Sequence, residues 1–311
     1  MKKLKMVQQN SISLEEGCEK YLENCRARNL REATINHYRQ SYVQFAKFFD
    51  MKMPIVDIDE KLYQQYVVYL RETLHNDISI NAYLRDFITT MHFLMNEDYM
   101  PHFKMQSIKV DRSAVETYSE TELMALLKKP NIKKCSFTEY QSWVITNFLF
   151  STAVRQRSMM NIKVKDIDFD NNVVNVTVTK NRRALIVPFN KTMSGILQEF
   201  LKYRQHSSGE DFLFCNVFGK QLTKSTSYHM LYEYNKRRGV DTTGIHRYRH
   251  TFAKQWILNG GNVVSLSKIL GHSSLEITQN YVNLLVSDVA KEVENINLLS
   301  RFATQERIRM I

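Results

Sequence analysis

No glycine falls between Gly17 and Gly195. Glycine supplies the positive-φ corners of tight turns, so a stretch this long without one favours long helices over a sheet of many hairpins. The whole chain of 311 residues holds 9 glycines and 4 prolines, which extends the same argument. Its hydrophobic fraction of 43% supports a folded core, and its length suffices for two domains with separate cores.

The first hundred residues read as a helical domain, with a boundary near residue 103. Ser13-Leu14-Glu15-Glu16 has the form of a capping box, a serine accepting from the backbone three residues on and a glutamate reaching back. The next helix carries an apolar stripe at Ile35, Tyr38, Tyr42, Phe45 and Phe49. A third runs from about Asp59 to Leu74 and a fourth from about Ser79 to Glu97. Residues 104–118 show no periodicity and read as a linker. Ser119-Glu120-Thr121-Glu122 is a second capping-box pattern, and a second domain spans residues 119–311. Within it, Ile167 and Phe169 alternate with polar residues before Asn171-Asn172. Val174, Val176 and Val178 alternate next, and Ala184-Leu185-Ile186-Val187 follows a turn holding Lys180-Asn181-Arg182-Arg183. The fold class is therefore mainly α with a small antiparallel three-stranded sheet.

The formal net charge is +11, which attracts polyanions. No apolar run approaches the roughly 20 residues of a membrane span. Met1-Lys2-Lys3-Leu4-Lys5 is basic but lacks the apolar core of a signal peptide. Nucleic acid is thus the expected polyanion and no membrane partner is expected. Arg26, Arg28, Arg31, Arg39 and Lys47 each fit a solvated helix face, and together they fit a surface turned toward DNA. Cys18, Cys25, Cys135 and Cys215 form no C-x-x-C pair and read as reduced thiols of a cytoplasmic protein. Cys18 and Cys25, seven apart, share a helix face and are expected in the core.

Chemistry concentrates near the C-terminus. In His246-Arg247-Tyr248-Arg249-His250, His246 and Arg249 lie three apart and share a helical face. His246 and His250 are four apart, a spacing also found in zinc sites. The zinc-protease motif, however, needs Glu after the first His, and Arg247 stands there. Two arginines beside the histidines suit an anion such as phosphate. Asn259-Gly260-Gly261 is a helix stop, a short apolar helix runs to Leu270, and Gly271 is a second stop. Ser273-Ser274-Leu275-Glu276 is a further capping-box pattern, with His272 just before the helix it opens and Tyr281 just after that helix or in its last turn.

The run from His246 to Tyr281 resembles the C-terminal signature of the tyrosine recombinases, the phage-integrase family. That signature is H-x-x-R, then L-G-H-S-S, then a tyrosine nine residues after the second histidine. Here these are His246/Arg249, Leu270-Gly271-His272-Ser273-Ser274 and Tyr281. Thr152-Ala153-Val154-Arg155 resembles the family's T-G-L-R, and Asn161 through Asp168 resembles the run that follows it. Lys180 falls in the sheet turn where the family carries a lysine, with Ile186-Val187-Pro188 supporting the alignment. Ala153 replaces the family's glycine, and Gln156-Arg157-Ser158 replace its Ile-Ser-Glu, which makes Arg157 a competitor for the role, although the register favours Arg155.

The resemblance implies a two-domain DNA clamp, with a helical core-binding (SAM-like) domain before the catalytic one. The first domain matches only in being helical, basic and of suitable length. Tyr281 would attack a phosphodiester and form a 3′-phosphotyrosine. Arg155 and Arg249 would grip the non-bridging oxygens, and His272 would donate to one of them. His246 would assist proton removal from Tyr281 or orient the phosphate, and Lys180 would act as general acid on the 5′-oxygen. The family uses no cofactor, no metal and no ATP. Its partners are double-stranded DNA and further copies of the chain, four protomers exchanging strands at two DNA sites through a Holliday junction, in some cases with accessory DNA-bending or directionality proteins. Leu284, Leu285, Val289, Val293 and Ile296 are spaced for an amphipathic helix that docks on a neighbouring protomer or on its own domain. A type IB topoisomerase shares this chemistry, and a DNA-binding regulator would share the surface without the reaction. A hydrolytic nuclease would need an acidic metal cluster to accompany the histidines.

Overall fold

Ser13 and Ser119 both open helices by reciprocal capping. Each hydroxyl accepts from the N–H three residues on, while Glu16 or Glu122 accepts from the serine's own N–H at 2.8 and 2.7 Å. These caps satisfy donors that a helix start leaves orphaned. The computed structural model describes residues 11–110, 116–179, 184–272 and 274–282. The chain divides into two units, Met1–Ser113 and Ala114–Ile311.

The first unit is built from α1 (Leu14–Ala27), α2 (Glu32–Phe45), α3 (Glu60–Thr73) and α4 (Asp77–Asn96). Helix α4 packs against the other three and buries Leu84, Phe87, Met91 and Leu94 along one face. It starts at Asp77 rather than near Ser79, because the Asn76 side chain accepts from the N–H groups of Ile78 and Ser79 at 2.9 and 3.2 Å. Helix α2 ends at Phe45, before its apolar stripe does. Phe49 reaches the core from the following turn, its N–H bonded to the Phe45 carbonyl at 2.9 Å. Gly17 permits close contact between α1 and α4, since a Cβ there would stand 2.9 Å from Leu94 Cδ1. Buried Asp86 ties α4 to α2 by accepting from Ser41 Oγ at 2.5 Å and pairing with His37 Nε2 at 2.9 Å. Cys18 and Cys25 are buried free thiols. Arg26, Arg28 and Lys47 are exposed, and Arg39 pairs with Glu32 at 3.0 Å.

The aperiodic segment after α4 is held by side chains rather than by a ladder. Tyr63 donates to the Gln106 carbonyl at 2.8 Å, and Asn81 bonds both the carbonyl and the N–H of Ile108 at 2.8 and 3.0 Å. Phe103, Met105 and Ile108 pack on the first unit's core, whereas Tyr118 lies in the core of the second.

The second unit comprises α5 (Glu120–Leu127), α6 (Phe137–Thr152), α7 (Gln156–Met159), β1 (Ile167–Asp168), β2 (Val173–Val176), β3 (Leu185–Pro188), α8 (Lys191–Tyr203), α9 (Lys224–Arg237), α10 (Ile245–Leu258), α11 (Val263–Leu270) and α12 (Leu275–Val282). Helix α6 is its centre, buried almost all round from Tyr140 to Leu149 and flanked by α8, α9 and α10. The sheet is antiparallel in the order β1-β2-β3, with Val174 opposite both Ile167 and Val187. Its strands are shorter than the alternation of apolar residues. Asn172 turns the chain at φ 53°, and past Val176 the Val178 carbonyl instead accepts from Ser158 Oγ at 2.7 Å. The turn with Lys180, the cap at Ser273 and the tail from residue 283 lie outside the described residues. Among the described residues no helix is long and apolar enough to cross a membrane.

Candidate active site

Three corners of the second unit meet around one phenol. The first is the end of α6, where Ala153 takes the left-handed conformation at φ 52° and releases the chain toward Arg155 and α7. An alanine there is strained by roughly 1–2 kcal/mol relative to glycine. The site uses both ends of the residue: its carbonyl accepts from Arg249 Nη1 at 2.8 Å, and its methyl joins a small core of Ala253, Leu266, Leu270 and Tyr281. Gln156 anchors the corner by donating to the Lys224 carbonyl and Ser227 Oγ at 3.1 and 2.9 Å. Arg155 is half-buried and Arg157 is exposed.

The second corner is α10. Tyr248 fixes its orientation: fully buried, it donates to Asn235 Oδ1 at 3.2 Å and lies 4.6 Å from the Tyr118 ring. Arg249, one residue on, is 5% exposed. Besides Ala153, it reaches the Leu270 carbonyl at 2.6 Å and His272 Nε2 at 2.9 Å.

The third corner is the end of α11, where Gly271 closes the helix at φ 58° and the His272 N–H bonds the Ser267 carbonyl at 3.1 Å. A Cβ on Gly271 would lie 3.1 Å from Leu185 and 3.9 Å from Arg155 Nη1. Gly271→Ala is therefore expected to cost about 1–2 kcal/mol from the left-handed backbone alone. It should also slow any reaction that uses His272, read as a lower melting temperature together with a lower rate of that reaction. An unchanged melting temperature would contradict this account of the corner.

The hydrogen bonds assign the His272 tautomer. A guanidinium only donates, so Nε2 accepts from Arg249 and the proton sits on Nδ1, which faces Thr278 Oγ1 at 2.8 Å. Tyr281, on α12, is 7% exposed. Its hydroxyl lies 2.8 Å from His250 Nδ1, and its ring runs parallel to His272 with centroids 6.4 Å apart.

Positive charge dominates this cluster. Burial raises the Tyr281 pKa above 10, opposed by the charge and hydrogen bonding of Arg249 and by the charge of Arg155. Burial lowers Arg155, and burial plus the Arg155 charge push Arg249 down to about 10, where it is still protonated at neutral pH. His272 is pushed down to about 4 by burial, then by Arg249, Arg155 and His250. His250 is lowered by burial, His246 and Arg249. His246 keeps an open face to solvent, yet it is lowered by desolvation of its inner face, then by Arg249, Arg155 and Lys224. Cations gathered this closely repel one another, and an anion among them relieves that repulsion.

A stability trend follows. Three histidines with depressed folded pKa values bind fewer protons than the unfolded chain below its ordinary value of 6.5. Their contribution is fully present above pH 6.5 and is lost as pH falls toward about 4. The free protein's melting temperature should drop across that window, and His272→Gln should shrink the drop. A flat profile would rule this out.

Arg155, Arg249, His272 and Tyr281 thus converge, while His246 stands one turn earlier on α10. Among the described residues no hydrogen bond joins His246 to Tyr281, and Lys180 lies outside them. The structure adds two side chains to this cluster, His250, which the sequence offered only for its zinc-like spacing from His246, and Thr278. His250 was visible in the same motif, one turn after His246. Thr278 carried no signal, because its importance is its contact with His272. Among the described residues no three His, Cys, Asp or Glu side chains group to hold a metal ion.

The helical scaffold with its small sheet is the fold of solved DNA recombinases. The Tn1549 transposon integrase in complex with transposon right end DNA superposes with a TM-score of 0.73 at 19% identity, over 90% of this chain and 99% of that one. A lambda integrase dimer bound to a core site gives 0.70 at 14% identity, over 87% and 95%. A lambda integrase tetramer bound to a Holliday junction gives 0.68 at 14%, over 88% and 78%. Residues 13–110 match the phage integrase SAM-like domain and residues 116–287 match the phage integrase family. The chain belongs to the phage integrase family and is a tyrosine-type site-specific recombinase. Tyrosine recombinase XerC of Staphylococcus aureus is 25% identical over 264 residues, 83% of this chain and 88% of that protein.

Proposed function

We propose that the chain cuts and rejoins double-stranded DNA through a covalent bond between a strand's 3′-phosphate and Tyr281. The observation that carries this reading is the buried phenol with Arg249, Arg155 and His272 gathered around it. Tyr281 Oη attacks phosphorus, the bond to the 5′-oxygen breaks, and the strand is held as a 3′-phosphotyrosine. Arg155 and Arg249 offset charge on the non-bridging oxygens, a task suited to a planar, always protonated group. Lys180 gives a proton to the departing 5′-oxygen, and His246 orients the phosphate or assists proton removal. The phosphotyrosine conserves the energy of the phosphodiester, so rejoining needs neither ATP nor metal. The two units act as a clamp on the duplex, the core-binding unit spanning about residues 1–103 and the catalytic unit residues 119–311. Four copies join two sites and pass through a Holliday junction, a reading supported by the likeness to the lambda integrase tetramer. Accessory DNA-bending or directionality proteins fit the same scheme.

The test is a pool of nicked duplexes that trap cleavage by losing a short strand, incubated with the protein without metal or ATP. A denaturation-resistant adduct whose peptide maps to Tyr281 is expected. Tight binding without any adduct would favour a DNA-binding regulator instead.

His272 must change state for this chemistry. In the free protein its one proton faces Thr278 and its Nε2 accepts from Arg249, so it has nothing to give a phosphate oxygen. A phosphate anion drawing Arg249 away would raise its pKa and let Nε2 take a proton while Nδ1 keeps Thr278. Histidine resonances should therefore show the His272 pKa rising from about 4 on binding DNA. An unmoved pKa would exclude His272 as a donor.

A further inference from the structure

We infer that His250 is the residue that takes the phenolic proton of Tyr281 as the tyrosine attacks. The inference rests on Tyr281 being the nucleophile and assigns a step that neither the family motif nor the fold assigns to this position.

Geometry comes first. His250 Nδ1 lies 2.8 Å from the Tyr281 hydroxyl, with ring centroids 5.6 Å apart. The phenol needs an acceptor for its proton. Arg249, its other neighbour, can only donate, so among the described residues the acceptor is His250 Nδ1. His250 is therefore unprotonated at Nδ1 and carries its hydrogen on Nε2.

The surroundings keep it so. Facing it are His246 and Arg249 on α10, and Tyr281 on α12, with the charge of Arg155 at the end of α6 and His272 after α11 reaching the same pocket. None of these is a carboxylate that would hold an imidazolium, and burial lowers the His250 pKa further. A base this weak becomes effective when the phosphate arrives, because the anion stabilises the imidazolium while the bond to phosphorus lowers the demand on it. His246 lacks this contact and retains solvent exposure.

The step balances. The bond from Tyr281 Oη to phosphorus forms, the phosphorus–O5′ bond breaks, the phenolic proton passes to His250 Nδ1, and the 5′-oxygen is protonated by the general acid assigned to Lys180. On rejoining, the 5′-hydroxyl attacks and His250 returns its proton to Oη.

The experiment is single-turnover cleavage of the trapping duplex across pH by wild type, His250→Asn and His250→Ala, with melting temperature and DNA affinity as controls. Asparagine places an acceptor where Nδ1 stands but cannot carry the proton. His250→Asn should bind DNA as wild type does and form its adduct on Tyr281 about 10²-fold more slowly. Its rate should keep rising with pH where the wild-type rate has levelled, and added imidazole should accelerate His250→Ala. A wild-type rate and pH profile in His250→Asn would overturn the assignment and reduce His250 to a positioning residue. A wild-type protein that forms no adduct on Tyr281 would overturn the proposed function itself, and this inference with it.

Discussion

Tyr281→Phe should bind the DNA site with wild-type affinity and form no denaturation-resistant adduct. The substitution removes one oxygen and nothing else. The ring stays in its small core with Ala153, Ala253, Leu266 and Leu270. The stability lost is that of the hydroxyl's hydrogen bonds to His250 and Arg249, about 0.5–1.5 kcal/mol each. The chemical loss is complete, since a phenyl ring has no lone pair to offer phosphorus. Tyr248, on the same helix as His250, cannot stand in for it, because it is fully buried and bonded to Asn235. Adduct formation on denaturing gels, read beside DNA affinity and melting temperature, separates these effects. A persisting adduct would mean that another residue is the nucleophile.

Arg249→Ala is the second large effect, and it should strike stability and reaction together. The guanidinium satisfies the carbonyls of Ala153 and Leu270 and contacts His272, joining the ends of α6 and α11 to α10. Removing it leaves interior carbonyls without a donor, at about 1–3 kcal/mol each. It also removes the proposed phosphate contact, for which the expected loss in cleavage rate is about 10²–10³-fold. Arg249→Lys keeps the charge, but an ammonium has no fork to span the same carbonyls, so most of both losses should remain. Arg155→Ala should differ in kind. Arg155 is half-buried at the start of α7, so its loss should slow cleavage with a smaller change in melting temperature. An Arg249→Ala protein that melts and cleaves like wild type would refute the description of this corner.

Much of the architecture is a local property of the chain. The caps at Ser13 and Ser119 act within four residues, and the helices follow from apolar spacing and a scarcity of glycine. The three-stranded sheet shows in alternation because its central strand buries every second residue, Val174 and Val176. Where local patterns met distant partners they misjudged extent. The stripe of α2 continues to Phe49 although the helix stops at Phe45, because a turn can serve the same core. The valine alternation outruns β2, since Val178 gives its carbonyl to Ser158.

The same division runs through the site. Sequence alone put His246 and Arg249 on one helix face of a basic, helix-rich chain, because a step of three residues returns to that face, and the resemblance to the phage-integrase signature joined His272 and Tyr281 to them. Only the tertiary structure decided which of the two α10 histidines meets the phenol. His250 and Tyr281 are 31 residues apart, and their contact depends on how α12 packs against α10 around Ala253, Leu266 and Leu270. It likewise decided that Thr278 holds the His272 proton and that the Ala153 carbonyl holds Arg249. Spacing along a chain sets which side chains share a face, while the partner of that face is set by packing between elements, which no local pattern encodes.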